Sequence, residues 1–302
     1  MNLRQLQYCV TVADTASFTK AAQQLHVSQP GLSQQIRALE AELGGPLIER
    51  LTQGIRLTAA GKAFLPEARV AVLAVERAAA AARSALALRT IELEIATLRS
   101  IAVGILPEAI RRLYDSWPDA AVGMREYRHR EDLERDVWRG VADIAVGPRP
   151  RDFSGPIERL GWEQFVVVVG ERDPLRRRPA GRAVPLEELA DRRWILFPPE
   201  HGLSELMGAA CARAGFTPLR AIETEQVEAA ARLAAAGVGV AMVPEDVVPA
   251  ELEANVRRLA RPIVRELTAY TRSSWSPPAR AFLETLRSLP WSARPRNAEV
   301  IG

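Results

Sequence analysis

The chain has 302 residues, 48% hydrophobic and 25% charged, with a formal net charge of only +3, a globular composition long enough for two or three domains. No apolar run reaches the roughly eighteen residues of a helical membrane span, and Arg4, Gln5, Gln7 and Asp14 interrupt any secretory leader, so no membrane partner and a cytoplasmic location are expected. Cys9 and Cys211 are the only cysteines and fall in different predicted domains, which excludes a structural disulfide.

Leu3, Leu6, Val10 and Ala13 recur at helical spacing and predict a first helix over residues 3–15, with Cys9 a small buried hydrophobe. Residues 17–40 then read as helix, tight turn, helix. Ser17 caps the first helix, beside Thr19, and the small Ala21 and Ala22 let another helix approach closely. His26 and Val27 turn the chain. Ser28 caps the second helix, and Pro30 is tolerated in its first turn because the amide it lacks has no partner there. Leu32, Ile36 and Leu39 form an inward stripe. The opposite face carries Gln29, Ser33, Gln34 and Arg37 near the helix start, where a recognition helix meets base edges. Glutamine addresses adenine, and arginine guanine or phosphate, each through two hydrogen bonds. An ordinary helical hairpin with a solvated polar face would share much of this pattern.

Gly44 and Gly45 end the second helix, and Pro46 prevents its continuation. Residues 46–58 predict two short extended pieces around Gln53-Gly54, a wing with Arg50 and Arg56 placed to reach phosphates. Residues 1–58 carry five basic and four acidic side chains, so a nucleic-acid reading rests on patterning rather than bulk charge. Thr58 caps a long helix expected to run to about residue 88, with a kink near Pro66. Its stripe, including Phe64, Val70 and Leu73, has no internal partner and predicts pairing with a second copy.

From residue 91 strands alternate with helices, the signature of a parallel sheet. Strands are predicted at 93–96, 121–125 and 141–146, with helices at 101–117 and 131–139. A second unit places strands at 165–170, 194–197, 220–223 and 239–243 and helices near 186–190, 203–214 and 226–236. The chain returns through 256–259 and 264–270 to a helix at 278–289, and residues 292–302 read as a disordered tail. Crossings near 160 and 262 make two lobes with a cleft between them.

Several stretches carry a resemblance: Asn2-Leu-Arg-Gln-Leu6, Ser17-Phe-Thr-Lys-Ala-Ala22, Val27-Ser-Gln-Pro-Gly-Leu-Ser-Gln-Gln-Ile36, Leu39-Glu-Ala-Glu-Leu-Gly44, Pro46-Leu-Ile-Glu-Arg50 and Ile55-Arg-Leu-Thr-Ala-Ala-Gly61. Motif by motif, and nearly without gaps, they resemble the DNA-binding domain of LysR-type transcriptional regulators. The resemblance implies a winged helix-turn-helix, a long helix that forms a homodimer, and an α/β two-lobed effector domain like the periplasmic solute-binding fold. Its partners would be promoter DNA, a small-molecule effector and RNA polymerase, with assembly to a homotetramer left open. Three positions depart from the family: Cys9 replaces a usual aromatic residue, Gly31 a usual Ala or Ser, and Gln53 a common wing arginine.

The expected division is 1–58 for DNA binding, 59–89 for the dimerisation helix, 90–291 for effector binding and 292–302 for the tail, with lobe I at 90–160 and 268–291 and lobe II at 161–267. Ligands in open α/β sheets bind beyond the carboxyl ends of strands. That rule selects Thr97, Ser100, Ile101, Arg128, His129, Gly147, Pro198, His201 and Thr224. Ser100 is expected to cap the helix after the first strand, and the family often holds a carboxylate at this position. An organic anion is the expected ligand, although Glu200 nearby opposes it. No catalytic motif, cofactor fingerprint or metal-ligand spacing is present, so no enzyme, cofactor or metal is expected. A solute-binding protein or an enzyme of the same α/β fold, with an N-terminal helical assembly segment, is the alternative.

Overall fold

A computed structural model describes residues 1–51, 54–86, 92–179 and 182–301. The chain divides into two compact units, Met1–Leu88 and Arg89–Gly302. In the first unit, helices α1 (Leu3–Thr15), α2 (Phe18–Gln24) and α3 (Gln29–Leu43) enclose a small core. An antiparallel wing follows, β1 (Ile48–Arg50) and β2 (Ile55–Leu57), and then α4 (Ala59–Leu86), which runs through Pro66 without a break. The predicted end of α4 near Leu88, and the boundary at 89–90, lie outside the described residues.

Local chemistry fixes these elements. The Asn2 side chain accepts from the Gln5 amide while the Gln5 side chain accepts from the Asn2 amide, a reciprocal cap for α1. His26, at φ 54°, turns the chain between α2 and α3. Glu40 Oε1 accepts from the amides of Leu47 (2.9 Å) and Ile48 (3.0 Å), tying α3 to the wing. Thr58 Oγ1 accepts from Gly61 N at 3.0 Å and donates to Pro46 O at 2.7 Å, so one hydroxyl caps α4 and anchors it. A Cβ at Gly61 would stand 2.1 Å from Leu47 O, so this approach requires glycine. One expectation shifts. The buried face of α1 is Leu6, Tyr8, Cys9 and Val12, whereas Leu3, Val10 and Ala13 are half-buried. The reason is that α1 is packed on several sides, by α4 as well as by α2 and α3.

In the second unit, β3 (Glu92–Leu98), α5 (Arg99–Val103), α6 (Leu106–Ser116), β4 (Ala121–Tyr127), α7 (Arg130–Trp138) and β5 (Ile144–Pro148) build one lobe. The long β6 (Ile157–Val168) crosses to the other, made of β7 (Arg193–Leu196), α8 (Gly202–Arg213), β8 (Leu219–Glu223), α9 (Val227–Ala235) and β9 (Ala241–Pro244). β10 (Val256–Tyr270) crosses back, α10 (Pro277–Arg287) packs on the first lobe, and β11 (Glu299–Val300) follows. The main sheet has the order β4-β3-β5-β10-β6-β9, with β11 pairing β10 and a separate β7-β8 pair. Each lobe has its own core. Ile95, Leu113, Ile144, Tyr270 and Phe282 lie in one; Phe165, Trp194, Phe197, Met207 and Val243 lie in the other. β10 feeds both, Leu259 and Ile263 in the second and Leu267 and Ala269 in the first, so the crossings run from one lobe's core into the other's.

The strand expected at 165–170 is the end of the longer β6, Ile157–Val168, and four further predicted elements differ. The helix expected over 101–117 is broken at Gly104 into α5 and α6, because a Cβ there would stand 2.3 Å from Asp246 Oδ2 and Pro107 opens the next helix. The helix near 186–190 is a short 3-10 turn, Leu186–Leu189. The two pieces expected at 256–259 and 264–270 are one strand with an irregularity between Arg258 and Ile263. The tail is not disordered where it reaches β10. Glu299 and Val300 pair with Ile263 and Val264, Ile301 N donates to Val264 O at 3.0 Å, and Ile301 is buried in the second lobe's core. A free strand edge and an apolar slot outweigh the polar composition around them.

Candidate nucleic-acid interface and effector cleft

The α3 start is built by its cap. Ser28 Oγ accepts from Gly31 N at 3.2 Å, and a Cβ at Gly31 would press on that hydroxyl at 3.0 Å. The unusual glycine thus gives the cap room. Pro30, Gln34 and Arg37 are exposed on one side of α3, and Gln29 is half-buried. Arg37 Nε donates to Ser33 O at 3.4 Å, which lays its guanidinium along the helix. Thr19 is exposed on α2, and Ser17 Oγ is its cap, accepting from Lys20 N. Ser33 departs from expectation: it is only 5% exposed, because the buried face of α3 widens to Leu32, Ser33, Ile36 and Leu39.

The wing carries its own neutralising charge. Glu49 and Arg56 are directly opposite in the β1–β2 register, and Arg56 donates to Glu49 Oε2 through Nε (2.9 Å) and Nη2 (2.6 Å). Arg50 ends β1. Gln53 lies outside the described residues.

The sequence-selected effector residues divide into three groups. Thr97, Ile101 and Gly147 are interior. Thr97 Oγ1 donates to Val146 O at 2.8 Å, Ile101 is in the core, and Gly147 sits where a Cβ would meet Leu133 at 3.0 Å. Arg128, Pro198, His201 and Thr224 sit where the lobes meet or in their loops. Arg128 and Arg99 both pair with Glu225 of the other lobe at 3.0 Å, and Arg128 O accepts from Gly202 N at 3.1 Å. Arg128 is therefore spent on a clasp. Pro198 O accepts from His201 N, and Thr224 Oγ1 accepts from Gln226 N. Glu200 is exposed and does not line the cavity described below.

His201 is 4% exposed, stacks on Phe197 with ring centroids 4.7 Å apart, and accepts from Leu203 N through Nδ1. Burial, then the nearby Arg99, lower its pKa from 6.5 to about 4, so it is neutral at neutral pH.

Ser100 and His129 form the third group, beside the cavity. Ser100 does not cap its helix. It lies inside α5, 3% exposed, and its Oγ accepts from Arg265 Nη2 at 3.2 Å. Arg265 is held in turn by Glu163, Nε to Oε2 at 2.8 Å. Arg265 and His129 line a cavity of about 280 Å³ between the lobes. Arg130 and Arg151 face it from the first lobe, Arg213 and Glu205 from the second, and Val300 and Ile301 close one side. Helices α7 and α8 both begin here, and α7 has no side-chain cap. His129, Arg130 and Glu131 at the start of α7 and Gly202 at the start of α8 line the space.

Sequence reasoning missed Arg265, Arg130, Arg151 and Arg213. No local signal singled out the first, because β10 carries four arginines (Arg257, Arg258, Arg261 and Arg265) and β6 two glutamates (Glu158 and Glu163). Both thiols are inert; burial raises Cys9 to about 11 and Cys211 to about 12. Among the described residues, no three His, Cys, Asp or Glu side chains converge as a metal set.

A family model described as the LysR substrate binding domain matches residues 88–290, and one described as bacterial regulatory helix-turn-helix protein, lysR family, matches residues 3–62. The HTH-type transcriptional regulator ClcR of Pseudomonas putida is 34% identical over 250 residues, covering 82% of this chain and 84% of its own. The HTH-type transcriptional regulator TfdS of Cupriavidus pinatubonensis is 31% identical over 95% of this chain and 98% of its own. Full-length CbnR complexed with its target DNA superposes with a TM-score of 0.72 at 27% identity, covering 95% of this chain and 99% of that one.

Proposed function

The chain belongs to the LysR family of transcriptional regulators, and from that premise we propose how its residues divide the work. It is a DNA-binding regulator with an effector-binding domain. The exposed face of α3, with Gln29, Pro30, Gln34 and Arg37, reads base edges in the operator's major groove. The caps Ser17 and Ser28 fix the two helices, Thr19 meets the backbone, and Arg50, Gln53 and Arg56 address the flanking phosphates. The stripe of α4, where Val75 is 47% exposed, joins two copies into a homodimer. In this reading the protein works in the cytoplasm, engages RNA polymerase at the promoter and performs no catalysis.

The effector is an organic anion held in the cavity between the lobes. One observation carries this: four arginines line the cavity against two glutamates, Arg130, Arg213 and Arg265 each also paired with a carboxylate behind the lining (Glu134, Glu299 and Glu163), and α7 starts at its edge without a side-chain cap. Ser100 acts through Arg265, whose guanidinium it positions, and the Arg99–Glu225–Arg128 clasp holds the lobes at one closure angle. A ligand touching both lobes shifts that angle by its difference in affinity for the two states.

The test is calorimetric titration of the full chain with benzoate and succinate, in wild type and in Arg151→Ala. Saturable binding that weakens about tenfold in the variant supports the reading. Stronger binding of amines in this cavity would defeat it.

A further inference from the structure

The crossing strands β6 and β10 separate two cavities of opposite charge. One is the arginine-lined cavity above. The other, of about 230 Å³, is walled by Trp162, Trp291 and Ile105 and by the carboxylates Glu163, Glu245 and Asp246, with no lysine or arginine in its lining. This second cavity lies outside everything assigned to the regulator so far.

Its floor holds an unmet demand. Glu163 is only 5% exposed. Its Oε2 is taken by Arg265, but Oε1 is buried without a hydrogen-bond partner. A buried acceptor left bare costs on the order of 1–3 kcal/mol, more when charged, and natural folds rarely tolerate that without a use. Glu245 is already matched by Arg258 at 2.7 Å. Asp246 packs its carboxylate against Gly104, where a Cβ would stand 2.3 Å from Oδ2, and burial, then the nearby Glu163, raise its pKa from 3.8 to about 7. Trp291 Nε1 donates to Leu286 O at 2.6 Å, whereas the Trp162 ring is already taken by the guanidinium groups of Arg159 and Arg294 at 5.2 and 5.4 Å and its Nε1 is buried without a partner.

We propose that this second cavity binds a small organic ammonium ion of the arylalkylamine class, which donates to Glu163 Oε1 and Asp246 and packs its ring against Trp291. An ammonium supplies the donor that Oε1 lacks, in a charge-assisted hydrogen bond. The Trp291 indole suits both its ring and its charge. A metal ion fits less well, because the described carboxylates do not converge into a ligand set of three.

The experiment is calorimetric titration of the full chain with benzylammonium chloride and, separately, with benzyl alcohol, its uncharged counterpart. Benzylammonium should bind saturably with a Kd below about 1 mM, and the alcohol about tenfold or more weakly. Asp246→Asn and Glu163→Gln should each weaken the ammonium about tenfold. Circular dichroism checks that both variants are folded; should Glu163→Gln unfold, Asp246→Asn decides alone. Absence of saturable benzylammonium binding, equal binding of the alcohol, or an unaltered Kd in a folded Asp246→Asn overturns the proposal. None of these outcomes touches the anion reading of the first cavity, which the organic acids test separately.

Discussion

Arg265 and Glu163 face each other directly in the register of the two crossing strands, and their side chains meet at 2.8 Å with both residues no more than 5% exposed. They join positions far apart in sequence at the centre of the partition between the lobes. Removing one member of such a pair leaves a buried charge uncompensated, at a cost of about 3–5 kcal/mol. Arg265→Met should therefore lower the unfolding free energy of the effector unit by about that amount. The double variant Arg265→Met with Glu163→Gln should recover much of it. Urea unfolding followed by tryptophan fluorescence checks both, and a double variant no better than the single one would show that the pair is not the source.

Gln34 is exposed on α3 beside Pro30 and Arg37. Gln34→Ala should cost about 1–3 kcal/mol on the preferred operator and relax discrimination at one base pair. A gel-shift series over single-base operator variants reads this out. Equal losses on all sequences would assign Gln34 to the backbone instead.

Arg56 is engaged with Glu49 across the wing. DNA phosphates must compete with that carboxylate. Glu49→Gln should free the guanidinium, strengthen binding to all sequences alike, and steepen the log K against log salt slope by up to roughly 0.9. Fluorescence anisotropy on random-sequence DNA at several salt concentrations measures it. An unaltered slope would mean the wing does not reach phosphate.

The DNA-binding unit was readable from sequence because its signals are local. Ser17, Ser28 and Thr58 cap helices within three residues of themselves, and Leu32, Ile36 and Leu39 repeat at helical spacing. The alternating α/β order was readable for the same reason. What failed were facts about side-chain direction and distant partners. Ser33 shares the polar run but turns inward by one step around the helix. Arg128 looked free for a ligand until Glu225 arrived from the other lobe. The tail looked disordered until β10 offered it an edge. The last two depend on partners distant in sequence, Glu225 for Arg128 and β10 for the tail, which periodicity cannot report.

Gly61 shows how a local motif can encode a close approach. Its Cα hydrogen faces Leu47 O where a methyl would stand at 2.1 Å, with backbone on the other side that cannot swing away. Gly61→Ala should therefore destabilise the DNA-binding unit by more than about 2 kcal/mol, despite alanine's better helix propensity. Urea unfolding monitored by far-ultraviolet circular dichroism tests it. A neutral or stabilising alanine would show that α4 shifts freely on the wing.

His201 gives the effector unit a pH dependence whose sign follows from its surroundings. Burial against Phe197 disfavours its cation; Arg99 and His129 add to this and Glu225 opposes it, leaving a folded pKa of about 4 against 6.5. The folded state thus holds His201 neutral in a range where the unfolded chain takes up a proton. Its contribution to stability is complete above pH 6.5 and is lost as the pH falls from there towards 4. At 1.36 kcal/mol per pKa unit the loss is about 3 kcal/mol at most. His201→Asn retains an N-cap acceptor for Leu203 N but cannot titrate. Unfolding free energies of the full chain at pH 7.5 and 4.5 should differ more in wild type than in His201→Asn, by up to that amount. Equal pH dependence in the two proteins would place the acid sensitivity elsewhere, and a variant unstable even at pH 7.5 would show that the imidazole's stacking on Phe197 matters more than its neutrality.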